Sequence, residues 1–195
     1  MNLIKLFVEN AIFDKNEFSN NTFLLENMDN RIKNTLKDMM IDRGHRVISD
    51  EDTHLVVEKN DSSQLIIFFS QVAKLNVATL KEYIKELENN GITHTIIIYN
   101  EKVTASVNKV IDNVYHLQIE LFQAKTLRFN ITHHNLYNPH IRLNDQEKQQ
   151  FIKKYGTQIP QILRTDPICR YFNFKEGDIL KIKRKNDNIA YRIVV

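Results

Sequence analysis

Seven histidines and a single cysteine are the residues with the most obvious chemical potential in this 195-residue chain. His133, His134 and His140 form its one histidine cluster. A zinc site takes four ligands, usually with Cys or carboxylate support. Cys169 is remote in sequence, and the nearest acid, Asp145, continues into a charged helical pattern. The cluster therefore reads as a polar turn, and no metal is expected. Cys169 follows Ile168 inside another helical pattern, which suits a buried, inert thiol rather than a nucleophile. Alone, it cannot close an internal disulfide, and it fits a reducing compartment. The chain has no G-x-S-x-G elbow and no P-loop. It holds only 4 glycines where average usage gives roughly 14, so a Gly-rich phosphate cradle is excluded. No catalytic residue and no cofactor are expected.

One enzyme class keeps some support. Small α/β domains can hold Mg²⁺ on acidic residues beside a central strand and cut DNA. Asp50, Glu51, Asp52 and Glu58-Lys59 are the acids near the early strands. Such sites want an acid followed by an acid-x-Lys triplet, and Glu58-Lys59-Asn60 lacks that spacing. The other charged feature is basic, with Lys181, Lys183, Arg184, Lys185 and Arg192 near the C-terminus. Such residues could meet phosphates or an acidic protein surface. A solvated strand face whose lysines discourage edge pairing is the simpler role. Total charge decides nothing, because 27 basic against 24 acidic residues leave only +3, far from a strongly basic nucleic-acid binder.

Positioning these residues requires elements, and the hydrophobic periodicity supplies them. Ile32, Leu36, Met39 and Met40 recur at spacings of three and four, one apolar helix face that ends before Gly44. Short strands follow at 46–48 and 54–58. Residues 65–69 and 95–99 are continuous apolar runs, as in strands buried on both faces. Between them Val77, Leu80, Ile84 and Leu87 keep helical period until Asn89-Asn90-Gly91. A short helix at 105–111 and a third strand at 114–122 complete an alternation that predicts a three-layer α/β domain with a largely parallel sheet.

The character changes near Leu127, and all three prolines, Pro139, Pro160 and Pro167, lie beyond it. Asn144 with Glu147 predicts a capping box opening a helix at 145–155. Asp166 as N-cap and Pro167 at the first helical position predict another. Residues 179–183 and 190–195 alternate as a strand pair joined near Asn186-Asp187-Asn188. The expected organisation is a variable extension over 1–27, an α/β domain over 28–125 and a small α+β domain over 126–195. No run approaches the ~20 apolar residues of a membrane helix, and residues 1–8 lack the build of a secretory signal.

The C-terminal third carries a specific combination of motifs. It begins at Asn130-Ile131-Thr132-His133-His134-Asn135-Leu136 and Pro139-His140-Ile141-Arg142-Leu143. It continues through Glu147-Lys148, Ile159-Pro160-Gln161-Ile162 and Thr165-Asp166-Pro167-Ile168-Cys169-Arg170-Tyr171-Phe172. Lys175, Gly177, Ile179, Lys181-Ile182, Arg184 and Tyr191-Arg192-Ile193 close it. This pattern resembles the small shared fifth (H-type) subunit of eukaryotic and archaeal DNA-directed RNA polymerases, of which the archaeal form is the C-terminal module alone. Asp42-Arg43-Gly44-His45 and 91–111 resemble the jaw-like N-terminal domain of the eukaryotic two-domain form, so the resemblance covers 28–195. Departures include Asn30 at the family's usual Trp, Pro139 one place late, Gln161 and Glu176 at usual Arg positions, and Asn173 at a usual Gly. Asn173 still tolerates a left-handed backbone.

The resemblance implies a non-catalytic subunit whose C-terminal assembly domain docks on the largest polymerase subunit near a small omega-like subunit. Residues implied in assembly are His134, Pro139, His140, Pro160, Asp166, Pro167, Arg170, Tyr171, Gly177, Lys181, Arg184, Tyr191 and Arg192. The jaw would border downstream duplex DNA through Lys102, Thr104, Ala105, Ser106 and Lys109. No homo-oligomer and no membrane partner are expected. The location implied is intracellular, in a nucleus, or in a viral factory or virion if the source is viral; the Asn- and Ile-heavy, divergent sequence fits a large DNA virus or a protist, with the virus favoured. The alternatives are a free-standing nucleic-acid-binding protein or decoy mimic of the host subunit, and the metal-dependent nuclease.

Overall fold

The computed structural model describes residues 30–184 and 188–195. The extension over 1–27 and most of the turn near Asn186 lie outside the described residues. Helix α1 (Asn30–Asp42) buries Ile32, Leu36, Met39 and Met40, the face that the spacing predicts. It stops where Gly44 adopts φ 77°, a conformation that strains any residue with a Cβ. A hairpin pair follows, β1 (Arg46–Asp50), β2 (His54–Glu58) and β3 (Gln64–Phe69). Next come a short β4 (Lys74–Leu75), α2 (Val77–Asn89), β5 (His94–Tyr99), a short β6 (Lys102–Val103), α3 (Ala105–Asn113) and β7 (Gln118–Gln123).

The main sheet has five strands in the order β1-β2-β3-β5-β7. Its β1–β2 and β2–β3 pairs are antiparallel, and its β3–β5 and β5–β7 pairs are parallel. The sheet is therefore mixed, which corrects the largely parallel expectation. The cause is connection length. Residues 51–53 and 59–63 join the first strands, whereas a parallel crossover needs about a dozen residues. A second correction concerns the third predicted strand. α3 runs on to Asn113, and 114–117 form a turn that seats Leu117 in the core, so β7 starts only at Gln118.

The sheet has an apolar layer on each face. On one side α1 and a 3₁₀ turn (Ala124–Leu127) cover Leu55, Leu65, Ile67, Ile96 and Ile98. On the other, α2 and α3 cover Ile66, Phe68 and Ile97 through Leu80, Leu87 and Val107. The three layers expected from the sequence are thus present.

After a 3₁₀ turn (Ile131–His133), the C-terminal module builds its own sheet. Its elements are β8 (His140–Arg142), α4 (Asp145–Tyr155), β9 (Gln161–Ile162), α5 (Pro167–Phe172), β10 (Ile179–Lys183) and β11 (Ile189–Val194). The order is β8-β10-β11-β9, antiparallel except for β11–β9. Side chains alternate across the sheet. Leu180 and Val194 meet Cys169 and Phe174 on one face, while Tyr191 on the other packs against Phe151 of α4 at a 4.4 Å ring separation.

Candidate functional site

The parallel strands β3, β5 and β7 end together, and the crevice outside the carboxyl ends of parallel strands is where α/β sheets present ligand-binding groups. Here that end carries a ledge. β4 and β6 pair in parallel with Lys74 opposite Lys102. The ledge is tied to the sheet by Asn100 Nδ2 donating to Ser70 C=O at 3.2 Å. Gln123 Nε2 donates to Glu101 C=O at 2.8 Å. Thr104 is the N-cap of α3, yet its hydroxyl makes no capping bond. Val107, fully buried, anchors the helix below it. Lys102, Thr104, Ala105, Ser106 and Lys109 all stand exposed on this ledge. Lys74 joins them, and sequence reasoning missed it, because a two-residue strand has no periodicity to read.

The residues implied in assembly do not form one patch. His134, His140, Asp166 and Pro167 line a groove of about 960 Å³ between the C-terminal module and α1, together with exposed Phe129 and Leu136. His134 Nδ1 accepts the Leu136 N–H at 3.1 Å, and His140 Nδ1–H donates to Asn138 C=O at 2.6 Å. Burial, mainly, lowers the His140 pKa below the usual imidazole value. Pro139, Pro160 and Gly177 act through the backbone. Their partners are the Lys183 N–H, the Ile193 N–H and the Val194 C=O. Lys181 and Tyr191 face each other across β10 and β11. Arg184 is exposed, and Arg192 donates to Gln161 C=O at 2.8 Å. Cys169 is buried, and burial, with Asp166 and Asp178 nearby, pushes its thiol up to about 11.

Arg170 and Tyr171 point the other way, into the first domain. Arg170 donates to Leu121 C=O and lays its guanidinium 4.5 Å over the Phe122 ring. Tyr171 donates to Asp42 Oδ2 at 2.8 Å, and burial first, then this bond, raises its pKa. The same joint is locked from the other side by Arg43. Its Nη1 and Nη2 fork onto both oxygens of Glu120 at 3.0 and 2.9 Å, while Nε and Nη2 reach Tyr171 C=O and Arg170 C=O. His94 Nε2–H donates to Glu120 at 2.7 Å. Burial pushes the Glu120 carboxyl up, but the His94 hydrogen bond and Arg43 outweigh it and hold the group down at about 2. Burial likewise lowers His94 below its usual value, against the pull of Glu120. Arg43 was named in the sequence only within the Asp42-Arg43-Gly44-His45 motif, with no partner assigned, and Glu120 and His94, which lie far from it, were not singled out.

The acids weighed for a nuclease sit at the opposite edge, engaged by cations. Asp50 takes Lys37 at 2.6 Å and Lys33 at 3.1 Å, so its carboxyl titrates below the usual range, chiefly through Lys37. Glu58 pairs with Arg46 at 2.8 Å. Among the described residues no three His, Cys, Asp or Glu side chains are gathered as metal ligands.

With this geometry in place, likeness to known proteins is informative. Residues 129–194 match the family model described as RNA polymerase Rpb5, C-terminal domain. The chain is 29% identical to the "DNA-directed RNA polymerases I, II, and III subunit RPABC1" of Caenorhabditis elegans, over 85% of this chain and 94% of the relative. It is 28% identical to the protein of the same name from Caenorhabditis briggsae, over the same shares. The chain is thus similar to RPABC1, a subunit of RNA polymerases, over most of its length and well beyond the matched C-terminal module.

Proposed function

We propose that this chain is the RPABC1-like subunit of a multisubunit DNA-directed RNA polymerase, acting as a scaffold and not as the catalyst. The observation that carries this reading is a likeness that spans both halves of the molecule. In it the C-terminal module docks on the largest subunit near the omega-like subunit, and the first domain forms a jaw beside downstream duplex DNA. The groove beside His134, His140, Asp166 and Pro167 and the outer surface at Lys181, Arg184, Tyr191 and Arg192 are the docking faces. Arg170 and Tyr171 instead join the two halves. On the ledge, Lys74, Lys102 and Lys109 supply charge to phosphates, while Thr104 and Ser106 donate hydroxyl hydrogen bonds. Such contacts position DNA and read no sequence. A modest net charge suits a subunit that borders DNA within a larger enzyme. Composition supports a large DNA virus as the source, with transcription in its factory or the host nucleus.

Affinity purification from the native source tests the reading, and co-elution with the two largest polymerase subunits is the expected result. Isolation as a monomer would replace it with the decoy, and Mg²⁺-dependent DNA cleavage lost on changing Asp52 or Glu58 would replace it with the nuclease. In the assembled enzyme, Lys102→Glu with Lys109→Glu weakens downstream-DNA retention and lowers the slope of log K against log salt by about 1 for each phosphate no longer neutralised. An unchanged slope removes the ledge from the DNA path.

A further inference from the structure

The fold leaves one strand edge open inside the molecule. Among the described residues β7 is the last strand of its sheet, so one side of its backbone has no strand partner there. The Gln118 N–H turns inward to Thr93 C=O at 2.8 Å. Alternation along a parallel strand therefore turns Ile119 and Leu121 outward, and the Arg170 guanidinium meets the Leu121 C=O there. Among the described residues the Ile119 N–H and C=O and the Leu121 N–H have no partner, and they are open to another chain. They face a cleft of about 330 Å³ whose far wall is the C-terminal module. Exposed edges are usually blunted by a bulge, a proline or a covering element, because they template pairing. This one is regular, and among the described residues the module meets its backbone only through Arg170 at the Leu121 C=O.

The cleft is also electropositive. Arg164, Arg170 and Lys175 line it, and its one acid, Glu120, is already held by Arg43 and His94. Arg164 is exposed, and among the described residues its side chain makes no hydrogen bond or ion pair. The Lys175 ammonium donates to Asn173 Oδ1 at 2.7 Å. Burial is the main cause that lowers its pKa, and Arg43 and Arg164 add to it against the opposing pull of Glu120 and Asp178.

We propose that this cleft binds a short, extended, acidic peptide segment of a partner protein. Its backbone pairs with Ile119 and Leu121 by strand addition, and its carboxylates meet Arg164 and Lys175. A nucleic-acid strand would satisfy the charge but offers no N–H and C=O ladder to the open edge. The inference does not depend on the polymerase reading, and the isolated chain suffices to test it.

A fluorescein-labelled, end-blocked octapeptide of alternating Glu and Val is titrated against the full chain by anisotropy, with backbone hydrogen exchange followed in parallel. Saturable binding is expected, with slowed exchange at the Ile119 and Leu121 amides. Arg164→Glu with Lys175→Glu weakens it by about tenfold or more, and so does replacing Glu by Lys in the peptide. If the double variant fails to fold, Arg164→Ala, at an exposed side chain, carries the same comparison. Unchanged exchange at those two amides, or equal affinity for the Lys peptide, overturns the proposal. So does a labelled oligothymidylate that displaces the peptide and binds more tightly.

Discussion

All three guanidinium nitrogens of Arg43 are engaged, and the side chain is only 3% exposed. Removing one member of such a buried pair strands the other. Arg43→Ala is expected to cost about 3–5 kcal/mol in urea unfolding, because it leaves a buried carboxylate facing only His94. Arg43→Lys recovers little, since an ammonium cannot fork onto Glu120 and reach two carbonyls. The pH dependence has a definite sign. Glu120 lies at about 2 in the folded chain against an ordinary 4.5, so its stabilisation is complete above 4.5 and lost as pH falls toward 2. His94, lowered from its ordinary 6.5, adds a loss that begins as pH drops below that value. Glu120→Gln flattens the limb below pH 4.5, as unfolding midpoints across a pH series will record. None of this was legible in the sequence. Arg43 and Glu120 are 77 positions apart, and nothing in their neighbours marks them as partners.

Elements announced themselves wherever the signal was local. Asn144 and Glu147 form the reciprocal capping box. Asp166 accepts the Ile168 N–H with Pro167 at the start of α5, and Asn173 closes that helix at φ 55°, ψ 39°. Each of these is spelled in a few adjacent residues, and so is visible without the fold. Asp166→Ala should remove about 1 kcal/mol and lower the melting temperature by roughly 2–4 °C, with Asp166→Asn restoring most of it. Because α5 carries Arg170 and Tyr171, the same variant should also loosen their bonds to Leu121 and Asp42, as faster exchange at the joint will show. β4, β6, β8 and β9 were not anticipated, being two or three residues long and defined only by what they pair with. The antiparallel start of the sheet was missed, although segments as short as 51–53 and 59–63 admit only hairpins. The ledge side chains lie on one exposed turn because β6 and α3 are consecutive, whereas Lys74 reaches them only through strand pairing.

At the scale of the whole molecule, the two sequence-defined domains share a core. Tyr171, from the second, sits in the same buried cluster as Met39, Phe69 and Phe122 from the first, with Phe172 packed against it. Calorimetry should therefore show one cooperative transition, and Arg43→Ala should split it into two. That shared joint also has a history in time. Arg43 leaves the ribosome early, Glu120 follows 77 residues later, and the Arg170 carbonyl only after 127. Since domains fold as they emerge, the first sheet can form while its central guanidinium still lacks two acceptors. Translation of α5 is then the event that seals the molecule, and a ribosome stalled before it holds a first domain that has folded without its hinge pin.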